Sequence, residues 1–197
     1  MSTKLDRNSL WSLEEYAERR DDFRREMIAH KKTRRIALGP HITLLFEDFL
    51  TMKYQVQEML RTEKIFEAAG IAEELESYNP LIPDGTNWKA TMLIEYADVE
   101  ERRIALSKLA GVENTVWVQV EGETRSSAIA NEDMERSTDD KAAAVHFLRF
   151  ELDPASIAAL RSGKALRIGV DHPEIACELN PVPDAAVTSL IKDLTLH

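Results

Sequence analysis

Histidine and glutamate side chains of this sequence have types and spacings that could bind a metal ion. His41 and Glu47 share the same phase in one extended segment, and Glu58 and Glu63 follow on a stretch with helical spacing. His146 stands in a later apolar strand pattern, in phase with residues that point to the core. Imidazole and carboxylate groups from a helix and neighbouring strands suit iron, manganese or zinc. These five residues are the candidate metal ligands, and iron is the preferred ion.

Glu63 is the most unusual of the five because of its place in the helical pattern. It falls between Leu60 and Phe66 on the apolar stripe, where an unpaired carboxylate is costly to bury. The spacing therefore predicts that an arginine such as Arg61, a histidine or a cation compensates it. Ion pairing is the alternative to a metal, because buried charges are commonly paired and the spacing of Glu58 and Glu63 matches no metal motif.

Two histidines of the second half each have a structural alternative. His146 shares its strand phase with Leu148 and Phe150, so base rates for buried polar groups favour a hydrogen-bonded core histidine. His172 ends the next predicted strand. If a parallel crossover joins the two strands, these histidines lie roughly 20 Å apart and cannot share one ion.

The sequence has few of the motifs that mark an enzyme. It contains no glycine-rich phosphate loop, no G-x-S-x-G, no H-E-x-x-H and no dinucleotide-binding fingerprint. The single cysteine, Cys177, excludes an internal disulfide and a cysteine cage for a metal. His172 precedes it by five residues and could act as the base for a thiol nucleophile. A small hydrophobic role is the alternative, as for most single cysteines.

A basic cluster near the N-terminus contrasts with an acidic chain. The 197 residues carry 25 basic and 35 acidic side chains, a net charge of −10. Residues 1–35 contain ten basic and seven acidic side chains, a net +3, so the remainder carries −13 and nucleic-acid binding is disfavoured. The basic cluster consists of Arg24, Arg25, Lys31, Lys32, Arg34 and Arg35. It either stabilises a helix C-terminus or contacts an anionic ligand or an acidic partner surface.

Hydrophobic spacing predicts a helical N-terminal part with a short hairpin over residues 1–79. Its predicted elements are a helix of about 20 residues capped by Ser12, two short strands at 35–38 and 41–47, and helices at 49–69 and 71–77. The turn-rich stretch from Asn79 to Gly85 is the best candidate boundary in the chain.

Residues 86–197 alternate between strand and helix patterns. Strands are predicted at 89–96, 115–121, 125–130, 145–152 and 166–170, with one helix after the first, one before the last, and a C-terminal helix capped by Asp184. This order predicts split βαβ-like halves, ferredoxin-like in rhythm, on one mixed and largely antiparallel sheet. The predicted fold class is α+β, and the whole chain, 1–197, is predicted to be a single module.

The N-terminus and the apolar runs give no signal for export or membrane insertion. The first residues carry charges of both signs and lead into no apolar region. No apolar run approaches the roughly 20 residues that a transmembrane helix needs. The cytoplasm is the predicted compartment, and a lone thiol agrees with it.

Six separated runs of the sequence together support a resemblance. They are RNSLWSLEEY at 7–16, HKKTRRIALGPH at 30–41, QVQEMLRTE at 55–63, YNPLIPDG at 78–85, VHFLRF at 145–150 and GVDHP at 169–173. These runs resemble an uncharacterised bacterial family, domain of unknown function 3501, over nearly the whole chain. Members are usually found beside rubrerythrin-like and iron–sulfur-cluster proteins, so the resemblance implies an accessory role in peroxide- or iron-linked redox metabolism. It brings no known catalytic residue to this chain.

Two functions follow as expectations. The first is a non-enzymatic accessory or subunit protein that docks on an iron–sulfur or rubrerythrin-like partner through the basic helix end and the acidic remainder. The second is a small iron-binding or other transition-metal protein, or a metalloenzyme, that uses the five candidate ligands. The missing catalytic motifs and the family context favour the first.

Overall fold

Six α-helices are present in the computed structural model, which describes residues 4–134, 136–138 and 141–195. They are α1 (Leu13–Lys32), α2 (Phe49–Thr62), α3 (Ala68–Tyr78), α4 (Val99–Lys108), α5 (Pro154–Arg161) and α6 (Asp184–Leu190). Ser12, Asp98 and Asp153 cap α1, α4 and α5 as predicted, each accepting a hydrogen bond from a backbone amide three residues later. Asp184 is instead the first residue of α6, which has no side-chain cap. Within the described ranges, no helix combines the length and apolar character that crossing a membrane requires.

Nine strands form two antiparallel sheets in the part of the chain that the structure describes. They are β1 (Arg35–Leu38), β2 (Ile42–Glu47), β3 (Asn87–Ile94), β4 (Val116–Val120), β5 (Ser126–Ser127), β6 (Ile129–Ala130), β7 (Val145–Glu151), β8 (Leu166–His172) and β9 (Ile175–Leu179). The first sheet has the order β1-β2-β3-β7-β6, and the second has the order β5-β4-β8-β9. The predicted α+β class is confirmed, although the strands lie in two sheets where the sequence pattern placed them on one.

The two helical connections explain why a ferredoxin-like rhythm gives two sheets. Helix α4 carries the chain from β3 in the first sheet to β4 in the second, and α5 carries it from β7 to β8 in the same way. Strands β3 and β7 pair antiparallel, and so do β4 and β8. Sequence alternation could not reveal this split, because a strand with one buried face shows the same period in either sheet.

The main hydrophobic core lies between the two sheets. The first sheet contributes residues such as Leu44, Met92 and Phe150, and the second contributes residues such as Val118 and Ile168, all buried. Helices α4, α5 and α6 complete this core. The arrangement is a sandwich whose inner faces interdigitate.

On one side of the sandwich, the chain turns a corner and passes directly from the second sheet into the first. Strand β5 pairs with β4 in the second sheet, and β6 pairs with β7 in the first. Only Ala128 separates β5 from β6, and its amide donates to the carbonyl of Val116. On the opposite side, β1 of the first sheet faces β9 of the second, where Gly39 lies against Cys177.

The helical part packs on the first sheet and on itself. Helix α2 buries Met52, Val56 and Leu60 against the N-terminal segment and α3. Helix α1 packs on α2 through an aromatic cluster that includes Phe23 and Tyr54, whose ring centroids are 5.5 Å apart. Because β2 pairs with β3, the predicted helical part and the predicted mixed-sheet part share one sheet.

Candidate functional site

The five predicted metal ligands lie at separate places in the structure. His41 and Glu47 flank β2 at its two ends, about 20 Å apart along the strand. His146 pairs in register with Met92 and faces the core, whereas Glu47 and Thr91 belong to the opposite face of the first sheet. Within the described ranges, no three His, Cys, Asp or Glu side chains come together in a way that could hold a metal ion.

His41 has a packing partner at its end of the sheet. Its ring stacks on that of Tyr96, with the centroids 3.9 Å apart and the planes 10° from parallel. Its Nδ1 lies 3.0 Å from the carbonyl oxygen of Glu95, which can only accept a hydrogen bond. This pair lines one wall of an open cavity of about 430 Å³ beside α4.

Glu47 is a buried carboxylate with one unsatisfied oxygen. Its side chain is 4% exposed, and Oε1 accepts a hydrogen bond of 2.7 Å from the hydroxyl of Thr91. Oε2 has no hydrogen-bond partner among the described residues. Burial raises the pKa of Glu47, and hydrogen bonds from Thr51 and Thr91 together with the charge of Lys31 oppose that rise.

Glu58 is occupied by an ion pair between the first two helices. Its Oε1 accepts hydrogen bonds from the hydroxyl of Tyr16 at 2.6 Å and from Arg20 Nε at 2.7 Å, and its Oε2 accepts one from Arg20 Nη2 at 2.8 Å. The hydrogen bonds from Arg20 hold the pKa of Glu58 below its usual value. This bidentate pair fastens α1 to α2.

Glu63 is exposed, and the prediction that it is buried on an apolar stripe is wrong. Helix α2 ends at Thr62, and Glu63 is its C-terminal cap residue, with its amide bonded to the carbonyl of Met59. The spacing from Leu60 to Phe66 therefore does not describe one helical face. Phe66 is itself 69% exposed, so no compensating arginine or cation is needed here.

Arg34 is the buried member of the predicted basic cluster. Its side chain is 1% exposed, Nε donates to the carbonyl of Phe46 at 2.8 Å, and the guanidinium pairs with Asp193 and lies 3.4 Å from Asp48 Oδ2. The predicted role of Arg34 as a contact for a partner or an anion is therefore wrong, since a bound partner cannot reach it. Burial raises the pKa of Asp193 to about 6, and Arg34 opposes that rise.

The other five basic residues of the cluster lie at the surface near the C-terminal end of α1. They are Arg24, Arg25, Lys31, Lys32 and Arg35. Lys31 is half-buried, with Nζ 5.7 Å from the ring centroid of Tyr54. Arg25 and Arg35 form surface ion pairs with nearby carboxylates, which contribute little in water.

Arg24, Ile28 and Lys31 follow each other at four- and three-residue steps, so they share one face of α1. Lys32 lies next to this face, and Ile28 is 54% exposed. We call Arg24, Ile28, Lys31 and Lys32 the basic face. It combines positive charge with an apolar side chain in contact with water.

An open polar cavity of about 490 Å³ lies at one end of the sandwich. It forms where the 3-10 helix Val112–Thr115 meets the chain that leaves β6. Its lining includes Gly111, Glu113, Asn131 and Arg136. Gly111 has a φ of 78°, and this left-handed turn redirects the chain from α4 into the 3-10 helix that carries Glu113.

Glu113 and His146 are buried next to this cavity. Glu113 is 4% exposed and His146 is fully buried. Glu113 Oε1 lies 3.9 Å from His146 Nδ1, and Glu113 Oε2 has no hydrogen-bond partner among the described residues. Burial lowers the pKa of His146, and the negative charge of Glu113 opposes that shift.

The hydrogen bonds of His146 identify its tautomer. Nε2 lies 2.9 Å from the carbonyl oxygen of Ala143 and therefore carries the proton. Nδ1 lies 3.1 Å from Asn131 Nδ2 and accepts a hydrogen bond from that amide. Asn131 is oriented in turn by Phe147, whose amide donates to Asn131 Oδ1 at 3.3 Å. The predicted core histidine thus has both ring nitrogens satisfied by neutral partners.

Cys177 and His172 do not form a nucleophile and base pair. In the β8–β9 hairpin Cys177 stands opposite Val170, and His172 stands opposite Ile175. His172 Nδ1 accepts from the amide of Glu174, and Nε2 lies 3.2 Å from the carbonyl of Ala110. Burial raises the pKa of the Cys177 thiol, which keeps it protonated and weakly nucleophilic.

Sequence reasoning missed Glu113, Asn131 and Arg136. Glu113 follows a helix-ending glycine, and the other two stand in a polar segment without periodicity, so no pattern marked them. Their shared cavity arises only when the ends of α4 and β6 meet. A glutamate directly after an apolar residue in a turn is common, and it gives no signal of burial by itself.

Comparison with known proteins confirms the resemblance suggested by the sequence. A family model described as "Protein of unknown function (DUF3501)" matches residues 4–194. The chain belongs to this family. It is also similar to a crystallised protein of unknown function from Burkholderia pseudomallei K96243, with 47% identity and a TM-score of 0.92 over 98% of this chain and 100% of that one. The curated proteins include no match to this DUF3501 chain.

Proposed function

We propose that this DUF3501 protein is a non-enzymatic accessory protein of bacterial peroxide- or iron-linked redox metabolism, which docks on a rubrerythrin-like or iron–sulfur partner. The basic face of α1 is the observation that carries the proposal. It projects cations and an exposed isoleucine from a helix whose other side is packed on α2. Such a combination suits a partner with an acidic surface around an apolar spot.

The charge distribution of the chain supports this choice of surface. The basic face lies in a segment with a net +3, while the remainder of the protein carries −13. The positive charge is concentrated at the C-terminal end of α1, because residues 24–35 hold six basic side chains and one acidic side chain. An acidic partner is therefore attracted to this end of α1 and repelled by the rest of the molecule. Electrostatic attraction of this kind orients an encounter and accelerates association.

The arrangement of the reactive groups also favours a binding role over catalysis. The predicted ligands Glu58 and Glu63 serve as an ion-pair partner and an exposed helix cap. The Cys177 thiol has a raised pKa, and both ring nitrogens of His172 are engaged by backbone groups. Neither of the reactions considered from the sequence, metal-based or thiol-based, has its groups assembled within the described residues.

The test is the affinity for a rubrerythrin-like protein and for an iron–sulfur protein of the same bacterium, measured by surface plasmon resonance. We expect the variant Arg24→Glu with Lys32→Glu to bind about tenfold more weakly, because two charges at an interface then repel the partner. We also expect rising salt to weaken the wild-type complex more than the variant complex.

A matched control variant changes the net charge of the protein by the same amount at positions outside α1. Lys108→Glu with Lys164→Glu reverses two exposed lysines outside α1 and should leave the affinity close to that of the wild type. Equal losses in both double variants would show that only the overall charge matters. Lack of binding to both partners by the wild-type protein would refute the proposal.

A further inference from the structure

The buried Glu113 carboxylate lines a polar cavity and lacks a hydrogen-bond donor for one of its oxygens. Its Oε2 has no hydrogen-bond donor within the described residues, although the side chain is only 4% exposed. A buried carboxylate without donors is strongly disfavoured in a folded protein. Because Glu113 lines an open cavity of about 490 Å³, a group entering from solvent can reach this end of the molecule.

His146 cannot neutralise this carboxylate in the tautomer that its hydrogen bonds indicate. Its only ring proton is on Nε2 and is directed to Ala143, while Nδ1 accepts from the Asn131 amide. The 3.9 Å contact between Nδ1 and Glu113 Oε1 therefore joins two acceptors. Other than this contact, the described residues give Glu113 no ion-pair partner.

Two further groups of the same cavity have unused hydrogen-bonding capacity. Arg136 Nε and Ser137 Oγ are buried atoms without a partner among the described residues, and both residues line the cavity. The guanidinium of Arg136 packs over Phe147, with Cζ 4.6 Å from the ring centroid, and its far end pairs with Asp133. The three side chains that carry one unpaired acceptor and two unpaired donors thus line the same cavity.

We propose that this cavity binds a small amino carboxylate, with the ligand ammonium at Glu113 and the ligand carboxylate at Arg136 and Ser137. The ammonium group supplies the donors and the positive charge that the Glu113 carboxylate lacks. The carboxylate supplies acceptors for a guanidinium N–H and a hydroxyl, the pairing that arginine favours. A free amino acid fits within the cavity volume.

The experiment is isothermal calorimetry of the full-length protein with each of the twenty standard amino acids. For the tightest amino acid, the same measurement is made with its analogue lacking the amino group and with its analogue lacking the carboxylate. We expect at least one amino acid to bind with a Kd below about 1 mM, and both analogues to bind at least tenfold more weakly.

Variants of the cavity assign the binding to these residues. Glu113→Gln should weaken the binding at least tenfold, because the amide keeps the shape and removes the charge. Glu121→Gln makes the same change at an exposed position and should leave the Kd unchanged. Ser137→Ala, on the less buried wall, should weaken binding to a smaller extent and serves as a second variant if Glu113→Gln folds poorly.

Three results would overturn the proposal. The first is the absence of binding by all twenty amino acids at this affinity. The second is binding that Glu113→Gln and Ser137→Ala leave intact. The third is equal affinity for the analogue without a carboxylate, which would make the ligand a simple amine or a cation.

Discussion

Arg34 and Glu113 are both charged, and both are almost completely removed from water, but their surroundings differ. The Arg34 guanidinium donates to the carbonyls of Phe46 and Glu47, and its positive charge is matched by Asp193. Glu113 has one carboxylate oxygen without any donor among the described residues. Arg34 is therefore part of a fully hydrogen-bonded structural network, whereas Glu113, which is buried to the same degree, has an unsatisfied oxygen.

The Arg34 network connects distant parts of the chain. Arg34 immediately precedes β1, whereas Asp193 belongs to the 3-10 helix Ile191–Asp193 that follows α6. Arg34 Nη1 also lies 3.3 Å from the hydroxyl of Ser189 in α6. The buried arginine thus fixes the C-terminal segment against the first sheet.

The largest expected effect comes from breaking this completed network. Arg34→Met leaves Asp193 and Asp48 near the core without the guanidinium, and we expect a loss of about 3–5 kcal/mol in the free energy of unfolding. Urea denaturation followed by circular dichroism measures this loss. Arg35→Met, which removes an exposed ion pair one residue away, should cost less than about 1 kcal/mol. Similar losses in the two variants would contradict the contrast between burial and exposure.

Substitution of Glu113 should increase the free energy of unfolding, the opposite of the effect expected at Arg34. Glu113→Gln removes a buried charge that has no donor at Oε2, and we expect the ligand-free protein to gain about 1–2 kcal/mol. The same urea experiment, in buffer without amino acids, measures the gain. Glu121→Gln should stay within about 0.5 kcal/mol of the wild type, because that side chain is exposed. A large loss in Glu113→Gln would mean that the carboxylate is satisfied in the folded protein.

The smallest expected effect is the contribution of His146 to the pH dependence of the folding stability. Its pKa is lowered from 6.5 in the folded protein by burial, so the unfolded chain binds the proton more readily. The stabilisation from keeping His146 neutral is complete above pH 6.5 and is lost as the pH falls below that value. We expect His146→Gln to show a shallower loss of stability than the wild type between neutral pH and pH 5.

Glu113 modifies that titration in a way that can be measured directly. Its negative charge raises the pKa of His146 and so opposes the effect of burial. In Glu113→Gln, the imidazole should therefore titrate at a lower pH than in the wild type, as followed by the NMR signals of the ring. An unchanged titration would show that Glu113, 3.9 Å away, does not influence the pKa of His146.

Local patterns were enough to predict most of the helices and strands. Ser12 and Asp153 gave the correct starts of α1 and α5 because capping depends on neighbours three residues apart. The periodicity predicts the end of α2 too late, at residue 69 instead of Thr62, and this error accounts for the false burial of Glu63. Strand β9 was missed because its five residues lie on an edge and have little apolar contrast.

The site could not be predicted because its geometry depends on contacts between distant segments. Glu113 and His146 are brought together by the 3-10 helix after α4 and by β7, and neither position has a motif. The sequence places Arg34 in a basic cluster that either stabilises a helix C-terminus or contacts an anionic ligand or an acidic partner, and nothing in that cluster marks Arg34 as buried. Its burial depends on Asp193, which is 159 residues away in the sequence. Periodicity describes one element at a time and carries no information about such partners.

The corner at Ala128 has a consequence for the motions of the sandwich. Because the chain passes directly from β5 to β6, a single residue tethers the two sheets on that side, whereas β1 and β9 meet only through packing contacts. We therefore expect the seam where Cys177 lies beside Gly39 to open more readily than the corner at Ala128. The Glu113 cavity is lined by Asn131, three residues after Ala128, and so lies on the tethered side of the sandwich.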